Sequence, residues 1–252
     1  MASILHNQEQ GVLTLTLNRV DKKNALTADM YAALADHLTQ AQAANDVRVV
    51  LLQGHETVFS AGNDIADFLQ QPPANPDSPV SRFLRGIAVF PKPLLASVCG
   101  PAVGVGTTLL FHCDLVYAGD NAAFSMPFVN LGLCPEAASS MLAVKLMGYQ
   151  RAAEALLMGE PFMVETALEM GLVSRVLPPA EVNAYAQRQA QKMAAKPLSS
   201  LIETKRLMKQ ASTPAVLSQM DQEAAVFGRM LKEPAAIEAF SAFMEKRKPV
   251  FG

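Results

Sequence analysis

The sequence predicts an α/β fold, in which a spiral of β-β-α turns is followed by a lobe of helices at the C-terminus. An apolar strand, a tight turn and a helix follow one another three times in the first half of the chain. From about Pro178 onward the pattern is helical throughout, with breaks at Pro197, Pro214 and Pro234. We therefore predict a spiral core at residues 1–196 and a C-terminal helical lobe at residues 197–252 that buries its apolar surface between subunits.

The composition limits the classes of function. The 252 residues are half hydrophobic and carry a formal net charge of -2, which argues against a nucleic-acid partner. No apolar run approaches the roughly 18 residues that a membrane span needs, so no membrane partner is expected. The N-terminus resembles neither a signal peptide nor a transit sequence, and three cysteines in apolar sequence suggest buried thiols in a reducing compartment. We expect a cytoplasmic protein.

The first elements are a hairpin and a long helix. Residues 3–6 and 12–17 alternate apolar and polar side chains around Gly11, which predicts two antiparallel strands. A loop over residues 18–26 carries three basic side chains. Thr27 then caps a helix that runs to about Ala44, with apolar residues at helical spacing on its buried face.

Two further strand–turn–helix units complete the spiral. The first joins a strand at 47–53 to a helix at 64–69 that Asp64 caps, and the second joins a strand at 94–98 to a helix at 104–112. Between them, residues 70–79 contain four prolines and predict a flexible loop that acts as a lid. Near residue 171, a helix ends at a glycine and leads into a short strand.

The turn after the strand at 94–98 contains Gly100, Gly104 and Gly106. A dinucleotide fingerprint requires a third glycine at Leu109, and a phosphate loop requires a lysine that is missing, so both are excluded. Two interpretations remain. The glycines serve only the close packing of a turn, or the turn offers unpaired N–H groups at a helix start, where negative charge is stabilised.

A second strand-to-helix turn, Phe59-Ser-Ala-Gly-Asn-Asp-Ile65, favours the second interpretation, because two such turns can grip one oxygen from two sides. The motifs F-S-A-G-x-D, G-P-A-x-G-x-G and C-D-x-x-Y-A together resemble the crotonase, or enoyl-CoA hydratase/isomerase, superfamily over nearly the whole chain. The resemblance implies a crotonase-like spiral, trimers that commonly pair into hexamers, and an oxyanion hole for an acyl-CoA thioester. Its donors would be the backbone N–H groups of Asn63 and Val105.

The resemblance also implies a binding surface for the coenzyme A part of the substrate. The family's N-R-P-x-x-x-N-A-L loop matches residues 18–26, with Val20 in place of the proline, and would bring Lys22 or Lys23 to the phosphates. A solvated turn is the alternative for these charges. The other expected substrate-binding residues are Ala25, Leu26, Ala61, Gly62, Asp64, Ile65, Gly104, Thr108, Phe128 and Pro135.

The acid–base residues distinguish the reactions of this superfamily. The two glutamates of its hydratases match Thr108 and Phe128, neither of which transfers a proton. Glu136 instead lies in a segment that resembles the P-F-x-x-L-G-x-x-P-E-x-x-S-S pattern of Δ3,Δ2-enoyl-CoA isomerases, whose matching glutamate is the sole acid–base. Ala137 replaces the usual glycine after it. The structural alternative is an acid in the first turn of a helix, where it favours the helix dipole.

These residues predict an isomerase that moves the double bond of a 3-enoyl-CoA to the 2-position through an enolate. One carboxylate takes the C2 proton and returns it at C4, so no metal or redox cofactor is expected, and coenzyme A enters as part of the substrate. Two alternatives stay open. One is another crotonase reaction, such as weak hydration or thioester hydrolysis, and the other is a non-catalytic acyl-CoA-binding module.

Overall fold

A computed structural model describes residues 2–70 and 77–251. In this part of the chain the strands are β1 (Ile4–Glu9), β2 (Val12–Leu17), β3 (Val49–Gln53), β4 (Leu94–Val98), β5 (Pro101–Val103), β6 (Leu115–Gly119), β7 (Ala123–Ser125), β8 (Phe162–Met163) and β9 (Arg175–Leu177). The first helices are α1 (Ala28–Ala43), α2 (Ile65–Gln70), α3 (Pro79–Val89), α4 (Val105–Thr108), α5 (Ser139–Met147) and α6 (Tyr149–Ala153). The later helices are α7 (Val164–Glu169), α8 (Pro179–Ala194), α9 (Leu198–Lys209), α10 (Thr213–Met230) and α11 (Pro234–Met244).

A six-stranded sheet in the order β1-β2-β3-β4-β6-β9 forms the centre of the molecule. β1 and β2 make the predicted antiparallel hairpin, and every later neighbour in this sheet is parallel. A smaller sheet, β5-β7-β8, begins directly after β4. The chain thus alternates between two sheets, and the predicted α/β spiral is confirmed.

The larger sheet is covered by helices on both faces. One face packs against α1 and α3, whose apolar side chains join those of β2, β3 and β4 in the main core. The other face packs against α8, which presents Val182, Ala186, Ala190 and Ala194 at a spacing of four residues. Alanine side chains at this spacing allow close approach of the helix, and burial on both faces explains the nearly continuous apolar strands.

Predicted helix boundaries are confirmed at several places. The side chain of Thr27 caps α1 by accepting a hydrogen bond from the Met30 N–H, at 3.3 Å. Asp64 caps α2 in the same way, with its Oδ1 3.2 Å from the Asp67 nitrogen. Gly171 has φ +80° and separates α7 from β9. The predicted lid lies largely outside the described residues, and α3 begins where that segment ends.

The C-terminal helices begin at or next to prolines, as predicted, because proline is tolerated only in the first turn of a helix. Val216 and Met220 of α10 belong to the same apolar cluster as the spiral. On α9, Lys205 binds Asp114 at 2.6 Å and the Lys92 carbonyl at 2.8 Å. The division at residue 197 and the role of the lobe between subunits stay predictions.

The three cysteines are free thiols, but only Cys99 is buried, whereas Cys113 and Cys134 are partly exposed. The prediction that all three are buried is therefore wrong for two of them, because each lies at the edge of its apolar cluster. Within residues 2–70 and 77–251, no helix is long and apolar enough to cross a membrane.

Candidate active site

The two strand-to-helix turns are held side by side by backbone hydrogen bonds. Ser60 and Ala102 form a parallel β-bridge, in which the Val103 N–H donates to the Ser60 carbonyl at 2.9 Å. Asn63 and Val105 each lie three residues beyond this bridge on their own segments. The register therefore places the two expected donors at the ends of adjacent turns.

Both N–H groups lack a backbone partner among the described residues. In the β-bridge between Leu26 and Asn63, the Leu26 N–H donates to the Gly62 carbonyl and the Asp64 N–H donates to the Leu26 carbonyl. The N–H of Asn63 itself takes no part in these two hydrogen bonds. Val105 is the first residue of α4, where N–H groups have no intrahelical acceptor. Two unpaired donors in adjacent turns suit an oxygen atom that develops negative charge.

Two glycines make this approach of the turns possible. Gly62 has φ +90°, and a Cβ built there would lie 2.9 Å from the Val103 carbonyl oxygen. Gly106 faces the other turn, where a Cβ would lie 3.0 Å from the Ser60 carbonyl oxygen. A side chain at either position would push the turns apart, so the glycines serve both close packing and the donor pair.

A cavity of about 450 Å³ opens in front of the donors. Its wall is largely apolar, with Phe128, Phe227 and Phe240 among its aromatic residues. The predicted site residues that line it are Lys22, Lys23, Ala25, Ala61, Gly62, Asn63, Asp64, Ile65, Gly104, Val105 and Phe128. The sequence pattern thus identified residues that the fold brings to one cavity.

The basic loop lies directly against the Asn63 turn. Asn24 is fully buried, and its side chain donates to the Phe59 carbonyl at 3.1 Å. The Lys23 carbonyl accepts from the Ala61 N–H at 2.9 Å. Lys22 and Lys23 themselves are exposed at the rim of the cavity, where a charged part of a ligand can reach them.

Asp64 and Leu26 have supporting positions in this turn. The Asp64 carboxylate forms an ion pair with Arg19 at 2.6 Å. Partial burial opposes ionisation of Asp64, but hydrogen bonds from Arg19 and from the α2 backbone prevail and lower its pKa. Leu26 is buried behind the cavity, and its backbone binds the Gly62 carbonyl at 2.8 Å. Neither residue has the properties of a general base at neutral pH.

Glu136 lies before the helix and not in its first turn. α5 begins at Ser139, so the interpretation of Glu136 as a first-turn acid is wrong, because two residues with positive φ separate it from the helix. Its Oε1 atom is enclosed and has no hydrogen-bond donor among the described residues. Burial, and secondly the charge of Glu223, raise the pKa of Glu136 to about 8. Such a carboxyl group can take up and release a proton near neutral pH.

Glu136 lines a second cavity, of about 320 Å³, between α3 and α10. The side chain of Phe227 lines both cavities and packs edge-on against Phe68, with ring centroids 6.1 Å apart. The candidate base and the candidate oxyanion donors are therefore in neighbouring cavities with Phe227 at their junction.

The turn after Glu136 is held in an uncommon conformation. Ala137 has φ +58° and Ala138 has φ +56°, which costs on the order of 1 kcal/mol for a residue with a Cβ. This conformation explains why glycine is the usual residue of the pattern at position 137. The buried His112 donates from Nε2 to the Ala137 carbonyl at 2.8 Å, and burial lowers its pKa to about 4. His112 is thus a neutral anchor of the turn.

The remaining predicted residues lie outside the two cavities. Thr108 is fully buried, and its hydroxyl has no partner among the described residues. Pro135 is half-buried beside Glu136 and lines neither cavity. The proposed substrate contacts of Leu26, Thr108 and Pro135 stay predictions, since none of the three lines either cavity.

Comparisons with known proteins agree with this architecture. The family model described as enoyl-CoA hydratase/isomerase matches residues 7–252. The chain belongs to the enoyl-CoA hydratase/isomerase family, the crotonase superfamily. A solved structure of an enoyl-CoA hydratase/isomerase from Pseudoalteromonas atlantica T6c has a TM-score of 0.95 and 38% identity, and the match covers 100% of both chains. The predicted crotonase fold is confirmed.

Relatives in this family carry both kinds of activity in their names. The 2,3-dehydroadipyl-CoA hydratase of Escherichia coli (strain K12) is 32% identical over 100% of this chain and 99% of its own length. The enoyl-CoA delta isomerase 2 of Rattus norvegicus is 34% identical over 98% of this chain and 64% of its own length. The chain is therefore an enzyme of the hydratase/isomerase family.

Two residues of this family member escaped the sequence analysis. Tyr31 of α1 is fully buried, and its hydroxyl donates to Asn63 Oδ1 at 2.5 Å. Glu223 of α10 is also buried, and it accepts hydrogen bonds from the turn after Glu136. Tyr31 fits the apolar periodicity of α1, and Glu223 is 87 residues away from Glu136, so neither shows a local signal in the sequence.

Proposed function

We propose that this enzyme moves the double bond of a 3-enoyl-CoA thioester to the 2-position, with Glu136 as its single acid–base. The observation that carries the proposal is the half-buried Glu136 carboxyl group, whose Oε1 is enclosed and has no hydrogen-bond partner among the described residues. Its pKa, raised to about 8, suits proton transfer in both directions. The family membership supplies the acyl-CoA substrate class.

The two cavities suggest where the parts of the substrate lie. The thioester carbonyl would accept hydrogen bonds from the backbone N–H groups of Asn63 and Val105 in the first cavity. The coenzyme A phosphates would then lie near Lys22 and Lys23. The acyl chain would pass Phe227 toward the second cavity, which Glu136 lines. This placement brings the carbons next to the carbonyl between the donors and the base.

The reaction then needs only one proton and one pair of donors. The Glu136 carboxylate removes a proton from C2, and the electron pair moves into the carbonyl to give a dienolate. The two N–H groups stabilise the oxygen by about 3 kcal/mol each, and acid–base help contributes a factor of roughly 10² to 10⁴. Glu136 then returns the proton to C4, and the double bond becomes conjugated with the thioester.

Hydration is the second candidate, and a specific observation favours it. Glu223 lines the same cavity as Glu136, so two carboxyl groups are present as in the family's hydratases, although from different positions. Against this, Glu223 already accepts three hydrogen bonds, and the positions of the hydratase glutamates hold Thr108 and Phe128. We expect 2-enoyl-CoA to gain water much more slowly than 3-enoyl-CoA is isomerised.

One experiment tests the proposal. 3-Hexenoyl-CoA and 2-hexenoyl-CoA are incubated separately with the protein and with its Glu136→Gln variant, and the products are identified by chromatography. Isomerisation should fall by about 10² or more in the variant, while acyl-CoA affinity changes only a few-fold. Asp221→Asn is the matched control, because Asp221 lines the same cavity but forms an exposed ion pair with Arg85.

Two results would contradict the assignment. Near-normal isomerisation by folded Glu136→Gln would exclude Glu136 as the base. Hydration as fast as isomerisation in the unmodified protein would favour the second candidate instead.

We also propose that the enzyme assembles as a trimer or a dimer of trimers. Large apolar side chains are exposed near α6 and the turn that follows it, with Tyr149 at 66% and Leu157 at 68%. Exposed apolar surface of this kind is typical of a subunit contact. A monodisperse monomer in light scattering at micromolar concentration would contradict the proposal.

A further inference from the structure

The carboxylate of Glu223 is bound to the residues that follow Glu136. Its Oε2 accepts from the Ala138 N–H at 2.5 Å, and its Oε1 accepts from the Ser140 N–H at 3.1 Å. The Ser140 hydroxyl also donates to Oε1 and in turn accepts from Gln219 Nε2 at 2.9 Å. Glu223 thereby ties α10 to the start of α5.

Three donors face the Glu223 carboxyl group, an arrangement that matches an ionised carboxylate, which only accepts hydrogen bonds. Glu136 has the opposite surroundings, because its enclosed Oε1 has no donor among the described residues. Both side chains line the second cavity. Two carboxyl groups in one apolar site do not readily ionise together, so the group with donors takes the charge and the other keeps the proton.

We infer that Glu223 is a positioning residue for the isomerisation: its carboxylate holds the turn that carries Glu136, and its negative charge adds to burial in keeping Glu136 protonated. This inference rests on the proposed function of Glu136 as the base. Glu223 itself does not exchange a proton with the substrate, because its oxygens are occupied by donors from the protein.

The ionisation properties of both groups support the inference. Burial is the main cause of the raised pKa of Glu136, and the charge of Glu223 is the second. Burial also raises the pKa of Glu223 above its usual value, although the hydrogen bonds from Ser140 and Ala138 oppose this shift. Because these donors favour the charged form of Glu223 and Oε1 of Glu136 has none, we expect Glu223 to ionise before Glu136.

Other titratable groups around Glu136 do not substitute for this charge. Tyr31 of α1 is neutral, since burial and then the charge of Glu136 raise its pKa well above the usual value. His112 is neutral as well. Arg85 of α3 and Asp221 of α10 line the cavity but pair with each other in an exposed position. The thiol of Cys134 has a pKa raised by burial to about 11.

The position of Glu136 also depends on this anchor. Ala137 and Ala138 have positive φ values, and such a turn persists only when its surroundings hold it. His112 holds the carbonyl of Ala137, and Glu223 holds the N–H of Ala138. Loss of the Glu223 anchor should therefore move the base relative to the substrate as well as change its pKa.

The test combines direct titration with kinetics. The protein is labelled with ¹³C at the glutamate side-chain carboxyls, and the Glu136 signal is identified by its loss in Glu136→Gln. In Glu223→Gln the titration midpoint of Glu136 should fall by about one pH unit. The apparent pKa of the acid limb in the pH profile of kcat/KM should fall by the same amount. The plateau value of kcat should fall about threefold or more, because the base is weaker.

Two control variants distinguish the effect of the Glu223 charge from the effect of its hydrogen bonds to the turn after Glu136. Ser140→Ala removes a donor but keeps the carboxylate, so kcat should fall a few-fold while the Glu136 midpoint stays in place. Glu233→Gln removes an exposed charge that pairs with Arg229 of α10 outside both cavities, and it should change neither quantity. A pH shift specific to Glu223→Gln is not expected from a purely structural role.

Each outcome has a defined meaning. An unchanged Glu136 midpoint in Glu223→Gln would overturn the inference. If the titration midpoint of Glu136 falls in Glu223→Gln but the acid limb of the kcat/KM profile does not move, Glu136 is not the base. The electrostatic coupling between the two carboxyl groups would still be supported by that result. If Glu223→Gln does not fold, titration of the unmodified protein decides, because a Glu223 signal that ionises above that of Glu136 also overturns the inference.

Discussion

The protonation of Glu136 predicts how its replacement changes stability with pH. In the folded protein the pKa of Glu136 is about 8, compared with an ordinary value of 4.5. Between these two pH values the folded chain keeps a proton that the unfolded chain has lost. The folded state therefore loses stability as the pH rises through this window, by at most about 5 kcal/mol in total.

Glutamine at position 136 has no proton to lose, so Glu136→Gln removes this pH-dependent penalty. The linkage relation gives a penalty that grows by about 3 kcal/mol between pH 5.5 and pH 8.5. A buried amide without partners costs about 1 to 3 kcal/mol, but this cost is independent of pH. The stability of the variant relative to the unmodified protein should consequently increase by about 3 kcal/mol from pH 5.5 to pH 8.5.

Urea denaturation followed by circular dichroism at the two pH values measures this difference. All samples are compared at one protein concentration, because assembly also contributes to stability. Asp221→Asn serves as the control, and its exposed carboxylate should give little pH-dependent difference. A Glu136→Gln variant whose relative stability is the same at both pH values, or lower at pH 8.5, would refute the enclosed, protonated Glu136.

Three further predictions concern the first cavity. Tyr31→Phe removes the hydrogen bond to Asn63 Oδ1 and should lower kcat several-fold and stability by about 1 kcal/mol, as measured by turnover and by urea denaturation. Gly62→Ala places a Cβ against the Val103 carbonyl at positive φ, so stability should fall by about 1 to 3 kcal/mol and kcat with it, and a fully active variant would contradict the donor geometry. Joint replacement of Lys22 and Lys23 by alanine should raise KM about tenfold at low salt and less at high salt, with kcat unchanged.

Much of the fold could be predicted from local patterns. The hairpin, α1 with its Thr27 cap and the helices that begin at Pro197, Pro214 and Pro234 all depend on neighbours within a few residues. Such signals lie in the sequence itself, because capping, helical periodicity and the restrictions of proline are short-range effects. The second sheet was not predicted, since its strands have only two or three residues.

The site shows a similar division. The motifs around Gly62 and Gly104 predicted seven of the residues that line the first cavity, because glycines at tight turns are recognisable in the sequence. The basic loop and Phe128 supply the other four expected residues of this cavity. Thr108 and Leu26 are buried and do not line this cavity, since neighbouring residues of a turn or helix point in different directions. The predicted start of α5 at Glu136 is three residues too early, because no local sequence pattern predicts the positive φ values of Ala137 and Ala138.

The sequence by itself determined the family-like motifs, the two glycine turns and the presence of a glutamate in an apolar segment. Only the tertiary structure decided what surrounds that glutamate. The contact between Glu223 and the turn after Glu136 joins residues more than 80 positions apart, and the pair of Tyr31 and Asn63 joins two separate units of the spiral. A pKa depends on burial and on charges close in space, and these are set by packing between elements that no local pattern relates to each other.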